Sequence, residues 1–228
     1  GMDGLNVFVP YADGNYYAKR ANIAIPQSQV LPVNGSVGFA PQLTYLKTLY
    51  DAGQVAAIQG VGYANPDLSH FTSMAIWMNG SLAGGPASSG WIGRWLDGLP
   101  AQTADLAAAS LDSSVPLHMQ GLVRRAAGIP PNGGMFGVDS GPSDLRLYSG
   151  LRALSAASAG RGALHDSFTT TVRRQLDLAN EVAPAFKAAL PGGGELTRKL
   201  TIAARLINAN IGLRVLDLSR SGFDNHDA

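Results

Sequence analysis

The sequence contains no cysteine, and this absence excludes several kinds of chemistry at once. Without thiols the chain has no disulfide framework, no thiolate-bound metal and no cysteine nucleophile. Charged residues are also few, at 14% of the 228 residues, and the 17 basic and 16 acidic side chains nearly cancel. A chain balanced in this way lacks the basic footprint of a nucleic-acid-binding protein. We therefore expect no nucleic-acid partner.

Long apolar runs are missing too. The apolar stretches are short and interrupted by Gly and Pro, so the sequence predicts no transmembrane segment. No signal peptide is visible at the N-terminus, and we expect an export segment to have been removed or to lie outside this sequence. Hydrophobic residues nevertheless make up 46% of the chain, which is enough for a substantial core and is not typical of a disordered protein.

The residue pattern predicts an α/β protein. A helix with Pro41 in its first turn ends at Gly53, and the apolar run at residues 54–60 follows directly as a predicted buried strand. This order of elements favours a parallel sheet layered with helices. The other predicted strands cover residues 107–111, 115–120 and 213–218, and the other predicted helices cover residues 144–157, 166–190 with an interruption at Pro184, and 195–208.

Three clusters of polar residues could carry chemistry. The first is Asp3 with Gly4, where a carboxylate beside a glycine lets the backbone approach a metal or a phosphate closely. Asp-Gly is also a common turn signal, so an ordinary turn is the competing interpretation.

The second cluster contains Ser69 and His70, at the point where a loop runs into a predicted helix. The N-terminus of a helix offers unpaired N–H groups and the positive end of the helix dipole, which suit a phosphate or sulfate group. A hydroxyl there can act as a nucleophile if a metal lowers its pKa. The alternative is an ordinary capping residue, Ser69 or Asp67, beside a packed histidine.

The third cluster is Asp224 with His226, just after the strand predicted at residues 213–218. Open α/β sheets bind ligands in the loops that follow parallel strands, and a carboxylate with an imidazole suits zinc or manganese better than calcium. A surface turn is the alternative. Of the remaining histidines, we expect His118 to be a core or edge residue of a strand and His165 to face solvent near the start of a helix.

Four motifs in a fixed order connect these clusters. They are GMDGLN followed by VPY at residues 1–11, GVGY followed by NP, SHF, SM and W at residues 60–77, GWIGRWLD at residues 90–97, and GFDNH at residues 222–226. This series resembles the domain-of-unknown-function 1501 family, an uncharacterised group within the alkaline phosphatase and sulfatase superfamily. The resemblance spans the whole chain.

The resemblance implies a fold and a set of site residues. It implies an alkaline phosphatase-like, mostly parallel sheet flanked by helices, as a single domain over residues 1–228 that is truncated at both ends and therefore incomplete. Asp3 matches the metal-binding Asp of the first strand, and Asp224 and His226 match the later Asp/His pair. Ser69 or His70 occupies the position of the catalytic group, and the family pattern does not decide between them. Further ligands in an Asp-His-Gly motif are expected beyond Ala228.

The resemblance also implies a function. We expect a metal-dependent hydrolase of small phosphate or sulfate esters, with a divalent ion, zinc or manganese rather than calcium or magnesium. Many members of the family carry a twin-arginine export signal, so the expected location is the periplasm or the outside of the cell. The alternative is a non-catalytic exported binding or assembly protein with the same fold. The sequence does not indicate an oligomeric state.

Overall fold

The computed structural model describes residues 3–82, 88–100, 106–112, 114–131, 142–156 and 161–222. The chain divides into two compact units, one formed by Gly1–Ala64 with Ser221–Ala228 and the other by Asn65–Arg220. The helices of the described residues are α1 Gly14–Lys19, α2 Thr44–Asp51, α3 His70–Asn79, α4 Trp91–Asp97, α5 Pro142–Ala156, α6 Ala163–Val182, α7 Pro184–Lys187 and α8 Glu195–Asn208. The strands are β1 Phe8–Val9, β2 Leu31–Pro32, β3 Gly38–Phe39, β4 Ala108–Ser110, β5 Ala127–Gly128 and β6 Val215–Asp217.

The first unit contains a small antiparallel sheet with the strand order β1-β3-β2. Its core is formed by Val9, Tyr16 and Val30. Gly38 in the central strand is required by close packing, because a Cβ atom there would lie 2.4 Å from the carbonyl oxygen of Leu31. The short strands and the few buried side chains make this a minimal sheet.

The second unit contains a parallel sheet with the strand order β5-β4-β6. The central strand β4 consists of small side chains, Ala-Ala-Ser, all of them buried. One group of buried residues around β4 includes Leu111, Ile202 and Leu206, and another includes Ile92 and Met119. Buried parallel strands covered by helices are typical of α/β proteins. The prediction of a mixed α/β protein with a parallel sheet is therefore confirmed at this level.

The long elements agree well with the sequence pattern. The helix predicted at residues 195–208 is α8, and the helix predicted to break at Pro184 is α6 followed by α7. The strands predicted at residues 107–111 and 213–218 are β4 and β6. Gly53 follows α2 with a φ of 71°, a left-handed conformation that glycine adopts without strain.

Two predicted strands are wrong. Residues 54–60 belong to no strand, and Ile58 is 80% exposed, so this apolar run is not buried in a sheet. Residues 115–120 contain a short 3-10 helix, Leu117–Met119, whose N-cap is Pro116. Proline has no N–H to donate to a strand ladder, which explains why the chain turns there. No described helix has the length and apolar character needed to cross a membrane.

Candidate functional site

Asp3 lies in the first unit, directly before a 3-10 helix formed by Gly4–Asn6. Its carboxylate oxygen Oδ2 accepts a hydrogen bond from the guanidinium of Arg20, which also lies over the ring of Tyr16. Tyr16 is buried, and its hydroxyl donates to Asn6 Oδ1 at 2.6 Å and accepts from the backbone N–H of Ile25 at 2.8 Å. This network ties the start of the chain to α1. A cation at Asp3 would share the carboxylate with Arg20.

Ser69 is the N-cap of α3 in the second unit. Its Oγ accepts from the backbone N–H of Thr72 at 3.4 Å, and its own N–H donates to Asp67 Oδ1 at 2.7 Å. The capping role proposed for Ser69 is therefore confirmed. His70 is the first residue of the helix and is exposed. The cap bond uses a lone pair of the hydroxyl oxygen, so it does not occupy the hydroxyl proton.

Asp224 and His226 fall outside the described residues. Asp3 is thus the single predicted metal ligand that the structure describes. Among the described residues no group of three His, Asp or Glu side chains is arranged to hold a metal ion. The three-ligand metal site stays a prediction.

The carboxyl edge of the parallel sheet carries a polar group that the motifs do not include. Ser110 ends β4, Asp217 ends β6, and the two residues are partners in the strand register. Ser110 Oγ donates to Asp217 Oδ2 at 3.2 Å, and His118 Nε2 lies 3.0 Å from Asp217 Oδ1. Both carboxylate oxygens are therefore engaged, one by a fully buried hydroxyl and the other by an imidazole.

A second group just beyond the same strand ends is built on a buried lysine. Lys199 of α8 is 2% exposed. Its Nζ donates to Asp112 Oδ1 at 2.7 Å and to the carbonyl oxygen of Ser219 at 3.0 Å, and it lies 2.9 Å from Glu195. The Ser219 hydroxyl donates to Asp112 Oδ2 at 2.8 Å. The loops that follow β4 and β6 are thus joined to each other and to α8.

The electrostatics of this group favour its charged form. Burial raises the pKa of Asp112, but hydrogen bonds from Lys199 and Ser219 outweigh it and hold the pKa below its ordinary value. Burial lowers the pKa of Lys199, but hydrogen bonds to Asp112 and Glu195 outweigh it and raise the pKa. The hydrogen bond from Lys199 lowers the pKa of Glu195. A buried ammonium held by two carboxylates is a structural ion pair and not an activated nucleophile.

The GWIGRWLD motif holds a neighbouring backbone segment in place, a role that its sequence alone does not predict. A Cβ atom at Gly93 would lie 2.1 Å from the carbonyl carbon of Gln120, and one at Gly90 would lie 2.2 Å from the Cα of His118. The carboxylate of Asp97 accepts backbone N–H groups from residues 122, 123 and 124 at 2.7 to 3.1 Å. Helix α4 therefore lies against the backbone of residues 118–124 and positions the segment that carries His118.

Sequence reasoning did not single out Asp112, Lys199 or Asp217. Lys199 lies on the buried face of α8 with Ile202, Ala203 and Leu206, and a lysine among these apolar positions was the available signal. Asp217 ends a predicted strand, where polar side chains often bind ligands. His118 was expected in the core or at a strand edge. It is half-buried at the edge of the sheet, within the 3-10 helix.

Comparisons with protein-family models, with curated proteins and with solved structures give no match.

Proposed function

We propose that this chain belongs to a metal-dependent hydrolase of small phosphate or sulfate esters that acts outside the cytoplasm. The observation that supports the proposal is that β6 pairs in parallel with β4 and ends at Asp217. The chain then continues to Asp224 and His226. Loops after parallel strands are the ordinary position of ligand-binding residues in open α/β sheets. The four ordered motifs support an alkaline phosphatase-like fold.

Asp3, Asp224 and His226 are the proposed metal ligands. Two carboxylates and one imidazole form a donor set that suits zinc or manganese better than calcium or magnesium. A bound ion supplies Lewis-acid activation of the ester and of the attacking oxygen. Arg20 places a guanidinium beside Asp3, and guanidinium groups are well suited to bind phosphate or sulfate oxygens.

Ser69 is the proposed nucleophile, and His70 is the alternative catalytic group. The Ser69 hydroxyl lies at the N-terminus of a ten-residue helix, whose dipole and N–H groups stabilise developing negative charge. The cap bond from Thr72 orients the oxygen without using its proton. His70 is exposed and next to it, and could donate a proton to the leaving group.

The first test of this function measures metal content and turnover in the purified protein. We expect bound zinc or manganese by elemental analysis and hydrolysis of p-nitrophenyl phosphate or p-nitrophenyl sulfate. Asp224→Ala should abolish turnover and lower the metal content, whereas Asp177→Ala, which removes an exposed carboxylate of α6, should change neither. A wild-type protein that is folded but free of metal contradicts the proposal.

A second test separates the capping role of Ser69 from its chemical role. Ser and Asn cap helices about equally well, so Ser69→Asn keeps the cap but removes the hydroxyl, whereas Ser69→Ala removes both. If Ser69 is the nucleophile, both variants lose turnover. If Ser69 is only a cap, Ser69→Asn keeps wild-type turnover, and loss of turnover in His70→Gln then assigns the chemistry to His70.

One feature favours the non-catalytic alternative. Leu68 and Phe71, on either side of Ser69 and His70, are 93% and 91% exposed. Large apolar side chains at such exposure are more typical of a contact surface than of a water-filled active site. A metal-free protein with no ester hydrolysis would favour an exported binding or assembly protein with this fold.

A further inference from the structure

We propose that His118 is an acid–base group at the carboxyl edge of the parallel sheet and that Asp217 is the residue that orients it. The inference rests on the proposed function for its substrate, a phosphate or sulfate ester. Its geometric basis is independent of Asp3, Asp224 and His226. That geometric basis consists only of contacts at the carboxyl edge of the parallel sheet.

The first step is the orientation of the imidazole. Asp217 Oδ1 lies 3.0 Å from His118 Nε2, and a carboxylate at that distance favours the tautomer that carries the proton on Nε2. The other oxygen of Asp217 accepts from Ser110, which is fully buried, so the carboxylate is held on both sides. The ring is therefore fixed with Nδ1 as the nitrogen that carries the lone pair.

The second step is the accessibility of Nδ1. Nδ1 forms no hydrogen bond with any described residue. It is also absent from the fully buried side-chain atoms without a partner, so it is not fully buried. The side chain of His118 is 18% exposed, and Nδ1 is the ring nitrogen that Asp217 does not occupy. A carboxylate on one nitrogen and an open lone pair on the other is the arrangement of a general base.

The third step is the position of the histidine. The 3-10 helix that carries His118 contacts α3. On its other side Gly90, the N-cap of α4, lies so close that a Cβ atom would be 2.2 Å from the Cα of His118. The turn is thus fixed between two of the four sequence motifs.

The proton balance of the step is simple. Nδ1 accepts the proton of the attacking hydroxyl, the O–H bond breaks, and its electron pair stays on the oxygen that attacks phosphorus or sulfur. The ester bond to the leaving oxygen breaks as the new bond forms. Asp217 stabilises the resulting imidazolium, which passes its proton to water, and the leaving oxygen takes up a proton from water.

The first test needs no activity. We expect ¹⁵N NMR of the histidine rings to show His118 protonated on Nε2 with a lone pair on Nδ1, and Asp217→Asn to abolish this preference. Diethyl pyrocarbonate, which modifies open unprotonated imidazole nitrogens, should label both His118 and the exposed His70, as mapped by mass spectrometry. If His70 is labelled and His118 is not, the inference is wrong. The same holds if the ring carries its proton on Nδ1.

The second test uses turnover of p-nitrophenyl phosphate and p-nitrophenyl sulfate. His118→Ala should lower kcat/KM by about 10²- to 10⁴-fold, the usual contribution of a general base. Imidazole added to the buffer should restore part of the loss, which a purely structural histidine would not show. The matched control is His165→Ala, since His165 also lies near a carboxylate, Asp166 at 3.5 Å, but on α6. It should leave turnover unchanged.

The two proposals fail in different ways. If wild-type protein binds metal and hydrolyses an ester while His118→Ala keeps full turnover, the proposed function stands and the role of His118 is wrong. If wild-type protein hydrolyses neither ester, the proposed function fails, and the NMR and labelling results alone judge the orientation of His118.

Discussion

The carboxyl edge of the parallel sheet and the helix that carries Ser69 and His70 are held in place by different means. At the sheet edge, Lys199 of α8 and Asp112 form an ion pair across 87 positions of sequence, with the ammonium almost fully buried. None of the residues of α3, all of which the structure describes, is buried. Its first turn is fixed by the local cap at Ser69, and its last turn by Arg94, which donates to the carbonyl oxygen of Asn79 at 2.7 Å.

This difference indicates that the two regions are not equally rigid. Buried ion pairs and close backbone contacts define the sheet edge, and they cannot be altered without a cost to the whole unit. The N-terminus of α3 depends on interactions within a few residues, so it can move or open at small cost. We infer that the sheet edge is the rigid part of the candidate site and the Ser69 turn its adaptable part.

The largest expected effect is that of removing the buried ammonium. Lys199→Met keeps the length of the side chain but leaves Asp112 without its main partner. Breaking one side of a fully buried ion pair costs about 3–5 kcal/mol, and because the Asp112 side chain is 25% exposed, the free energy of unfolding should fall by the lower end of that range. Urea unfolding at neutral pH measures it.

The matched control for that variant is Lys187→Met, which changes an exposed lysine at the end of α7 and should cost no more than about 0.5 kcal/mol. The double variant Lys199→Met with Asp112→Asn should recover part of the loss, because it also removes the unpaired charge. Equal stability of Lys199→Met and Lys187→Met would show that the ion pair does not hold the sheet edge.

Gly93→Ala should have the next largest effect. The added methyl group would lie 2.1 Å from the backbone of Gln120, which has to shift together with the segment that carries His118. Overpacking of this kind costs about 1–3 kcal/mol. Gly150→Ala on α5 is the matched control, since nothing lies within 4 Å of the added atom. An exposed helical glycine replaced by alanine should instead stabilise by about 0.5–1 kcal/mol. Thermal unfolding with the same sign for both variants would contradict this role of Gly93.

Two carboxylates of the second unit predict how its stability responds to acid. Burial raises the pKa of Asp97, but the backbone N–H groups of Arg124, Leu122 and Val123 lower it more, so the pKa lies below its ordinary value. The pKa of Asp112 is lowered as well. A lowered pKa stabilises the folded state fully above the ordinary carboxyl value near 4, and this contribution is lost as the pH falls through the lower folded value. The free energy of unfolding should therefore fall with acid below about pH 4.

Substitution of one carboxylate checks that assignment. Asp97→Asn should give a shallower fall in the free energy of unfolding between about pH 5 and pH 2, because it removes one of the groups that bind protons on unfolding. Asp177→Asn, at an exposed position of α6, should leave the slope as in the wild type. An unchanged slope in Asp97→Asn would mean that its three backbone hydrogen bonds do not favour the carboxylate form.

The same contrast explains what the sequence could predict. Helix α8 and the cap at Ser69 are local features, so periodicity and capping rules found them. The runs at residues 54–60 and 115–120 are short, and a short apolar run does not by itself establish a strand. The pairs Lys199–Asp112 and His118–Asp217 join residues far apart in the chain, which no local pattern reveals. Asp224 and His226, predicted from their motif, lie outside the described residues.

The smallest expected effect is that of Ser69→Ala on stability. Loss of an N-cap costs about 1 kcal/mol in the helix it caps. Because α3 buries little surface, this cost should appear as local opening of its first turn and not as lower global stability. Hydrogen exchange of the Thr72 and Ser73 amides should accelerate about fivefold, the factor that corresponds to that energy. Ser69→Asn should preserve wild-type exchange. If the midpoint of urea unfolding falls instead, α3 is coupled to the core as firmly as α8, and the inference that the Ser69 turn opens independently is wrong.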